Sequence, residues 1–198
     1  MTTDSGHSAH RADTAGPSGP SGVANVTLRS ATIDDALCLG VLATQVFLDT
    51  YAHAGISATL ADEVRSAFST VAFSALIGQP NTFITVAECD GALIGFAQTT
   101  LGTAQALVPC PSCAELDRLY VQEPFTRRSV GSRLLREHEA LAAGRGAQML
   151  WLSPWVGNHR ALRFYAQHGY TDHGLVYFHM GPERIENRVY AKHLLIAQ

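Results

Sequence analysis

The stretch Phe125-Thr-Arg-Arg-Ser-Val-Gly131 decides the fold, because it joins two segments with different hydrophobic patterns. The apolar pattern of residues 116–121 before it predicts a β-strand, and residues 130–143 after it follow a helical pattern. The first N–H groups of a helix have no intrahelical partners, and the helix dipole places about half a positive charge beside them. A strand, a short basic turn and a helix N-terminus therefore predict a site for an anion such as a phosphate.

Composition narrows the class of protein. The chain has 198 residues, of which 46% are hydrophobic and 16% charged, which suits one globular domain with a sizeable core. We expect residues 1–24 to form a disordered tail and residues 25–198 to form that domain, since the first part lacks any apolar stretch. A formal charge of −3 argues against nucleic acid as a partner. No apolar run approaches the roughly 20 residues of a membrane span.

The four cysteines favour no metal site. Cys110 and Cys113 form a C-x-x-C, but no second C-x-x-C or nearby histidine pair completes a zinc site. We therefore expect an ordinary loop at this position, with a redox or metal role as the alternative. The protein is expected to work in a reducing cytoplasm.

The order of predicted elements indicates an α/β fold. Strands and helices are predicted in the order β-α-α-α-β-β-β-α-β-α-β-β, with Ile33, Leu37, Val41 and Leu42 as the apolar stripe of the first helix. Asp90-Gly91 separates two strand patterns and predicts a hairpin. The sheet should be mostly antiparallel, except that the strands at 115–121 and 149–152 are joined by a helix, which favours a parallel pair. A ligand could lie beyond the carboxyl ends of that pair.

A second motif brings in a resemblance to a known family. Asn158-His-Arg-Ala-Leu-Arg-Phe-Tyr-Ala-Gln-His-Gly-Tyr170 places Tyr165 on a late helix. Together with the turn above, it resembles the GNAT superfamily of N-acetyltransferases over roughly residues 26–195. The family's coenzyme A loop, Gln/Arg-x-x-Gly-x-Gly/Ala, falls on residues 126–131, where Gly131 matches while Thr126 and Ser129 depart. The resemblance implies a mostly antiparallel, twisted sheet with flanking helices and a splayed parallel strand pair.

A narrower resemblance is to bacterial spermidine/spermine N-acetyltransferases. It is carried by Glu115-Leu-Asp-Arg-Leu-Tyr-Val121, Trp151-Leu-Ser-Pro-Trp155, residues 158–170 and Phe178-His-Met-Gly181. It implies acetyl-coenzyme A as co-substrate, direct attack by a small primary amine such as a polyamine, no metal, and a homodimer as one option for the assembly.

The resemblance also implies a set of cofactor contacts. Residues expected to cradle the pyrophosphate, mostly through backbone N–H groups, are Arg127, Arg128, Val130, Gly131 and Ser132. Val121 would donate its N–H to the thioester carbonyl, and Asn158 would cap the late helix and touch the pantetheine arm. A serine at position 129 is expected only if the backbone there is not left-handed.

Glu115 and Tyr165 are the expected catalytic residues. An alkylammonium with a pKa near ~10.4 must lose a proton before it attacks, and Glu115 could take it directly or through water. Glu115 and Asp117 lie two apart on a strand, so both should face one side and could instead bind a cationic substrate. Tyr165 resembles the family's general acid for the departing thiolate, or it could mainly position the sulfur.

Three aromatic residues, Tyr51, Tyr120 and Trp155, could line an amine channel through cation–π contacts. The leading hypothesis is a polyamine N-acetyltransferase. The alternatives are acetylation of a protein lysine, an N-terminus, an amino acid or an antibiotic, and a non-catalytic module that binds acyl-coenzyme A.

Overall fold

The computed structural model describes residues 25–195, so the predicted tail at 1–24 and the last three residues lie outside the described part. Its helices are α1 (Ala36–Tyr51), α2 (Ala58–Ala67), α3 (Thr70–Ile77), α4 (Val130–Gly144) and α5 (His159–Gln167). Its strands are β1 (Val26–Ser30), β2 (Thr82–Cys89), β3 (Ala92–Leu101), β4 (Cys113–Val121), β5 (Met149–Leu152), β6 (Thr171–Met180) and β7 (Glu183–His193). The predicted element order is confirmed.

The strands form one seven-stranded sheet in the order β1-β2-β3-β4-β5-β7-β6. The β2–β3 turn has positive φ at both Asp90 (50°) and Gly91 (79°), the backbone that a tight type I′ hairpin needs. Only β4 and β5 pair in parallel, and every other neighbouring pair in the described sheet is antiparallel. The mixed, mostly antiparallel α/β fold is therefore confirmed.

Helices cover both faces of the sheet, and each face has its own core. On one face, Val130, Leu134 and Leu135 of α4 pack against buried strand residues such as Leu116 and Leu150. On the other face, α1, α2 and α3 pack over β2 and β3, and the core there includes the buried residues Leu39, Phe47, Phe73, Val86 and Phe96. The sheet therefore has one face toward α4 and one toward α1–α3.

The predicted apolar stripe of α1 was wrong at three of its four residues, and only Leu42 is buried. Ile33, Leu37 and Val41 are exposed, at 58%, 62% and 64% of their surface. Leu39 and Phe47 are buried instead, in the core shared with α3. The segment carries apolar residues on more than one side, so periodicity alone did not identify the side that the sheet covers.

The parallel pair separates soon after it forms. Its paired positions are Cys113 with Met149, Ala114 with Leu150 and Glu115 with Trp151. Beyond Glu115, β4 continues to Val121 beside β3, whereas β5 pairs only with β7. The two strands thus splay apart toward their carboxyl ends, as the resemblance implied.

The helices, the potential metal ligands and the cysteines bear on three further sequence-based expectations. None of the helices in residues 25–195 is both long and apolar enough to cross a bilayer. In the same residues, no three His, Cys, Asp or Glu side chains cluster as metal ligands would. Cys110 and Cys113 form a disulfide at the start of β4, a pairing that the loop interpretation did not predict.

His138 on α4 should make the fold sensitive to acid. Its imidazole is fully buried, its Nδ1 lies 2.7 Å from Thr99 Oγ1, and its Nε2 has no partner among residues 25–195. Burial lowers the pKa of His138 to about 3, whereas an unfolded histidine titrates near ~6.5. The unfolded chain thus binds more protons between these values, and stability falls as pH drops below about 6.5.

We therefore expect His138→Gln to reduce the acid dependence of stability. Urea unfolding at pH 7 and pH 5 would show a smaller loss for this variant than for the wild type, by up to ~1.4 kcal/mol per pH unit. His179→Gln, at an exposed position on β6, is the matched control and should behave like the wild type. Equal losses in the wild type and His138→Gln would contradict the buried, neutral imidazole.

Candidate active site

The turn between β4 and α4 adopts an unusual backbone. Arg127 and Ser129 both have positive φ, at 59° and 62°. Ser129 is the N-cap of α4 in the left-handed region, so the expectation that a serine here requires another backbone angle was wrong. A non-glycine residue in this region costs roughly 1–2 kcal/mol. The loop therefore keeps the geometry that the family's glycine would favour, at some cost in strain.

The first turn of α4 packs closely against α5. Gly131 has ordinary helical φ, and a Cβ built there would lie 3.7 Å from the Phe164 ring and 3.9 Å from Val121 Cγ2. Val130 is buried beneath the turn, while Arg127 and Arg128 are exposed at its rim. The backbone N–H groups of this turn are thus held rigidly, with two guanidinium groups beside them, as an anion site requires.

Val121 directs its backbone N–H into the gap between β4 and β5. The next residue, Gln122, donates its N–H to Ile94 O of the β3 side at 3.0 Å. Because successive N–H groups of a strand point to opposite edges, the Val121 N–H points toward the side from which β5 has departed. A donor without a neighbouring strand is suited to a ligand carbonyl.

A cleft of about 610 Å³ opens beside Val121. Its walls come from the end of α1 (Val46, Asp49, Thr50) with His53 just after it, from Glu123, and from the β5–α5 connection with the start of α5 (Trp155 and 157–160). Sequence reasoning did not assign Thr50, His53, His159 or Arg160 to this cleft, since no local pattern marks side chains that meet only after folding. Across its rim, Arg160 Nη1 and Glu123 Oε2 form an ion pair at 2.5 Å.

The connection into α5 is shaped by Asn158 and Gly157. Asn158 Oδ1 accepts a hydrogen bond from Ala161 N at 3.0 Å, which confirms it as the N-cap of α5. A Cβ at Gly157 would lie only 2.4 Å from the Trp155 ring, so glycine is needed for the indole to lie over this backbone. Trp155 in turn stacks at 5.5 Å on Tyr51, the last residue of α1.

Three tyrosines come from three elements: Tyr51 of α1, Tyr120 of β4 and Tyr165 of α5. Of these, Tyr51 packs on the cleft residue Trp155. Tyr165 is buried, and burial raises its pKa, with smaller contributions from Tyr120 and Tyr51. Burial likewise raises the pKa of Tyr120. These phenols therefore stay protonated at neutral pH, which suits hydrogen-bond donation better than proton transfer.

Glu115 and Asp117 lie on β4, but not in simple alternation. The register pairs Thr99 with Leu116 and Gln98 with Arg118, so Asp117 is the extra residue of a β-bulge. The prediction that both carboxylates face one side assumed simple alternation along the strand. The bulge interrupts that alternation, so this reason was wrong. They are nevertheless neighbours: burial, then the charge of Asp117, raise the pKa of Glu115 to about 7. Asp117 accepts a hydrogen bond from Thr100 at 2.9 Å.

Glu115 is far from the Val121 end of the strand. It occupies the last paired position before β4 and β5 separate, six residues before Val121. At about 3.3 Å per residue, shortened somewhat by the bulge, their Cα atoms lie roughly 16–20 Å apart. The structure therefore does not place Glu115 directly beside the Val121 N–H, and the prediction that Glu115 is the base stays a prediction.

Comparisons with known proteins agree with this geometry. A model of the acetyltransferase (GNAT) family matches residues 50–170. An uncharacterized N-acetyltransferase of Lactobacillus delbrueckii subsp. lactis is 24% identical over 143 residues, which is 72% of this chain and 83% of that protein. One of Mycobacterium bovis is 27% identical over 136 residues, 69% of this chain and 83% of that protein.

The fold is shared with solved structures. The PaiA N-acetyltransferase from Thermoplasma acidophilum, solved in complex with coenzyme A, superposes with a TM-score of 0.64 at 21% identity, over 83% of this chain and 98% of that one. The family match spans more than half of the chain and includes β4, the α4 turn and α5. The chain belongs to the GNAT family of acetyltransferases, and is thus an acyltransferase that depends on acetyl-coenzyme A.

Proposed function

We propose that the protein moves the acetyl group of acetyl-coenzyme A to a primary amine by direct attack, without a metal ion or a covalent enzyme intermediate. The observation that carries the proposal is the Val121 N–H, which points into the gap between the splayed strands β4 and β5. There it would stabilise the charge that develops on the thioester oxygen.

The remaining cofactor contacts would come from the first turns of α4 and α5 and from Tyr165. The N–H groups of Val130, Gly131 and Ser132 at the start of α4 would hold the pyrophosphate, with Arg127 and Arg128 adding charge. Asn158 would touch the pantetheine arm from the N-terminus of α5. Tyr165 would donate a hydrogen bond to the departing sulfur, since its raised pKa disfavours full proton transfer.

We further propose that the acceptor is a polyamine or diamine. Glu115 and Asp117 form a pair of neighbouring carboxylates on β4, and burial together with mutual repulsion raises the pKa of Glu115 to about 7. An ammonium bound between them would relieve that repulsion. Because this pair lies far from Val121, only a polyamine would reach both places, and a diamine would place its second ammonium nearer, beside Asp49 in the cleft wall. Tyr51 and Trp155, which stack on each other, would contact its apolar stem and cations.

The test is thiol release from acetyl-coenzyme A with a panel of spermidine, spermine, butylamine, amino acids and lysine peptides. Spermidine or spermine should exceed butylamine in kcat/KM, and the advantage should shrink as salt rises. Equal rates for butylamine would reject the polyamine. Faster turnover of a lysine peptide would favour protein acetylation. Coenzyme binding without thiol release from any amine would indicate a non-catalytic binding module.

One observation favours amino acids as a second acceptor class. The Arg118 guanidinium lies over the Phe68 ring at 5.4 Å and is hydrogen-bonded to Gln98, yet no carboxylate of residues 25–195 lies within ion-pair distance of it. Such a cation could bind a substrate carboxylate. Preferred turnover of amino acids in the same panel would support this class over polyamines.

We also propose a domain organisation, an oligomeric state and a cellular location for the protein. We propose that residues 25–198 act as one domain and that the protein is a cytoplasmic homodimer. Cys38 and Cys89 are unpaired, which suits a reducing compartment, whereas the Cys110–Cys113 disulfide would be reduced there. The edge strand β6 exposes Leu175, Tyr177 and Phe178, a surface suited to self-association. Light scattering should give twice the chain mass of 21.2 kDa, and a monomer mass would reject the dimer.

A further inference from the structure

His168 connects the end of α5 to the first turn of α4. Its Nδ1 lies 2.8 Å from the backbone oxygen of Phe164, and its Nε2 lies 2.9 Å from Ser132 Oγ. The Phe164 ring packs on the imidazole at 4.2 Å between centroids and also lies against Gly131. The turn expected to hold the pyrophosphate is thus braced by α5 through one histidine.

The two hydrogen bonds determine where the protons lie. A carbonyl oxygen can only accept, so the hydrogen of a neutral imidazole sits on Nδ1 and is donated to Phe164 O. Nε2 then carries a lone pair, and Ser132 must donate its hydroxyl hydrogen to it. In this state the Ser132 oxygen presents only lone pairs to any other group, which is unfavourable beside an anion.

Protonation of His168 reverses the second bond. In an imidazolium both ring nitrogens donate, so Ser132 Oγ accepts from Nε2–H and its own hydrogen is free to rotate. A phosphate oxygen beside the α4 N-terminus can then receive that hydrogen. One proton on His168 therefore changes Ser132 from a hydrogen-bond acceptor into a donor for an anionic ligand.

We propose that His168 is a positioning residue of the coenzyme A site, which sets the direction in which the Ser132 hydroxyl donates. The inference rests on the proposed function, since it concerns how the pyrophosphate is held. Because the bound anion favours the protonated imidazole, binding takes up a proton and affinity rises as pH falls.

The other charged groups near His168 and Ser132 do not take over the proposed role of His168. On α4, Arg136 Nε donates to the backbone oxygen of Ser132 at 3.2 Å, which leaves the Ser132 hydroxyl unaffected. On β7, Lys192 approaches Gly169 but is paired with Glu139 at 2.9 Å. Arg127 and Arg128 are exposed cations in the loop.

The experiment is calorimetric titration with dephospho-coenzyme A, which lacks the 3′-phosphate that itself titrates near ~6. Affinity is measured between pH 6 and 8 in two buffers with different ionisation enthalpies, which gives the number of protons taken up. The wild type should take up protons and bind more tightly at pH 6. Ser132→Ala should lose the uptake and bind about tenfold more weakly at pH 6. His168→Ala should also lose the uptake, but its Ser132 hydroxyl is free to donate at every pH, so it should bind more tightly than the wild type at pH 8.

A double-mutant cycle separates this role from a structural one. If His168 acts through Ser132, the double variant binds no more weakly than the weaker single variant. His193→Ala, at an exposed position on β7, is the matched control and should bind like the wild type. Should His168→Ala unfold, His168→Gln serves in its place, because an amide does not titrate and should also abolish the uptake.

Three results would overturn the inference. Proton uptake that survives in the His168 variants, or losses that add in the double variant, would show that the two residues act independently. These results leave the proposed function intact if the protein still binds coenzyme A and acetylates an amine. A wild type that does not bind dephospho-coenzyme A would overturn both.

Discussion

Gly131→Asp is expected to abolish stabilisation by acetyl-coenzyme A while the fold survives. The new Cβ would make only ordinary contacts, the nearest at 3.7 Å from Phe164, and an acidic residue in the first turn of a helix is favourable. The carboxylate would nevertheless occupy the place where the pyrophosphate must approach the backbone, and it would repel that anion. At 100 times the Kd, ligand stabilises the wild type by about 2.7 kcal/mol, or roughly 5–10 °C in Tm.

Thermal unfolding with and without acetyl-coenzyme A measures this difference. Gly131→Asn is the matched control, since it has the same size without the charge, and its intermediate shift would separate steric exclusion from repulsion. If Gly131→Asp is stabilised by acetyl-coenzyme A as much as the wild type, the cofactor does not bind at the start of α4.

Glu115→Gln should reduce kcat/KM for spermidine by about 100-fold at pH 8 and leave that for butylamine unchanged. Removing the charge of the half-buried Glu115 leaves the second ammonium with only the exposed Asp117, and a hydrogen bond between charged groups contributes about 1.5–3 kcal/mol. Only an acceptor with a second ammonium makes that contact. Because the pKa of Glu115 is about 7, spermidine turnover by the wild type should rise as pH passes from 6 to 8, and this rise should vanish in the variant.

The two acceptors together decide the role of Glu115. If spermidine and butylamine slow equally and both lose the rising limb, Glu115 takes the amine proton through water and is catalytic. If neither slows, Glu115 belongs to neither role. Glu137→Gln, at an exposed position on α4, is the matched control and should change nothing.

Glu115→Gln should also change how the stability of the fold depends on pH. The pKa of Glu115 is raised to about 7 in the folded protein, whereas an unfolded glutamate titrates near ~4.3. The folded state therefore binds more protons between these values, and stability decreases as pH rises through the window. Glu115→Gln should be more stable than the wild type at pH 8 and similar to it at pH 4.

Local patterns in the sequence predicted most elements of the fold. Asp90-Gly91 permits positive φ at low cost, so the hairpin could be located from two residues. The helix between β4 and β5 dictated a parallel pair, because a crossover of that length joins parallel strands. Asn158 could be identified as a helix cap for the same reason, since capping depends on its neighbours in sequence.

Contacts between distant segments could not be predicted in this way. The exposed side of α1 depends on where α3 and the sheet pack, and the helix has apolar residues on more than one side. The bulge at Asp117 depends on the register between β3 and β4, and it changed the reason why Glu115 and Asp117 are neighbours. The left-handed Ser129 is tolerated because packing of α4 outweighs a local strain of roughly 1–2 kcal/mol.

The sequence by itself determined the element order, the basic turn before Gly131 and the family resemblance, because each depends on residues close together in the chain. Only the tertiary structure decided that Val121 faces an open gap, that Glu115 lies far from it, and that Ser132 is hydrogen-bonded to His168. Those relations join residues up to 36 positions apart. They arise from strand pairing and helix packing, which bring distant side chains within a few ångströms without any periodic signal in the sequence.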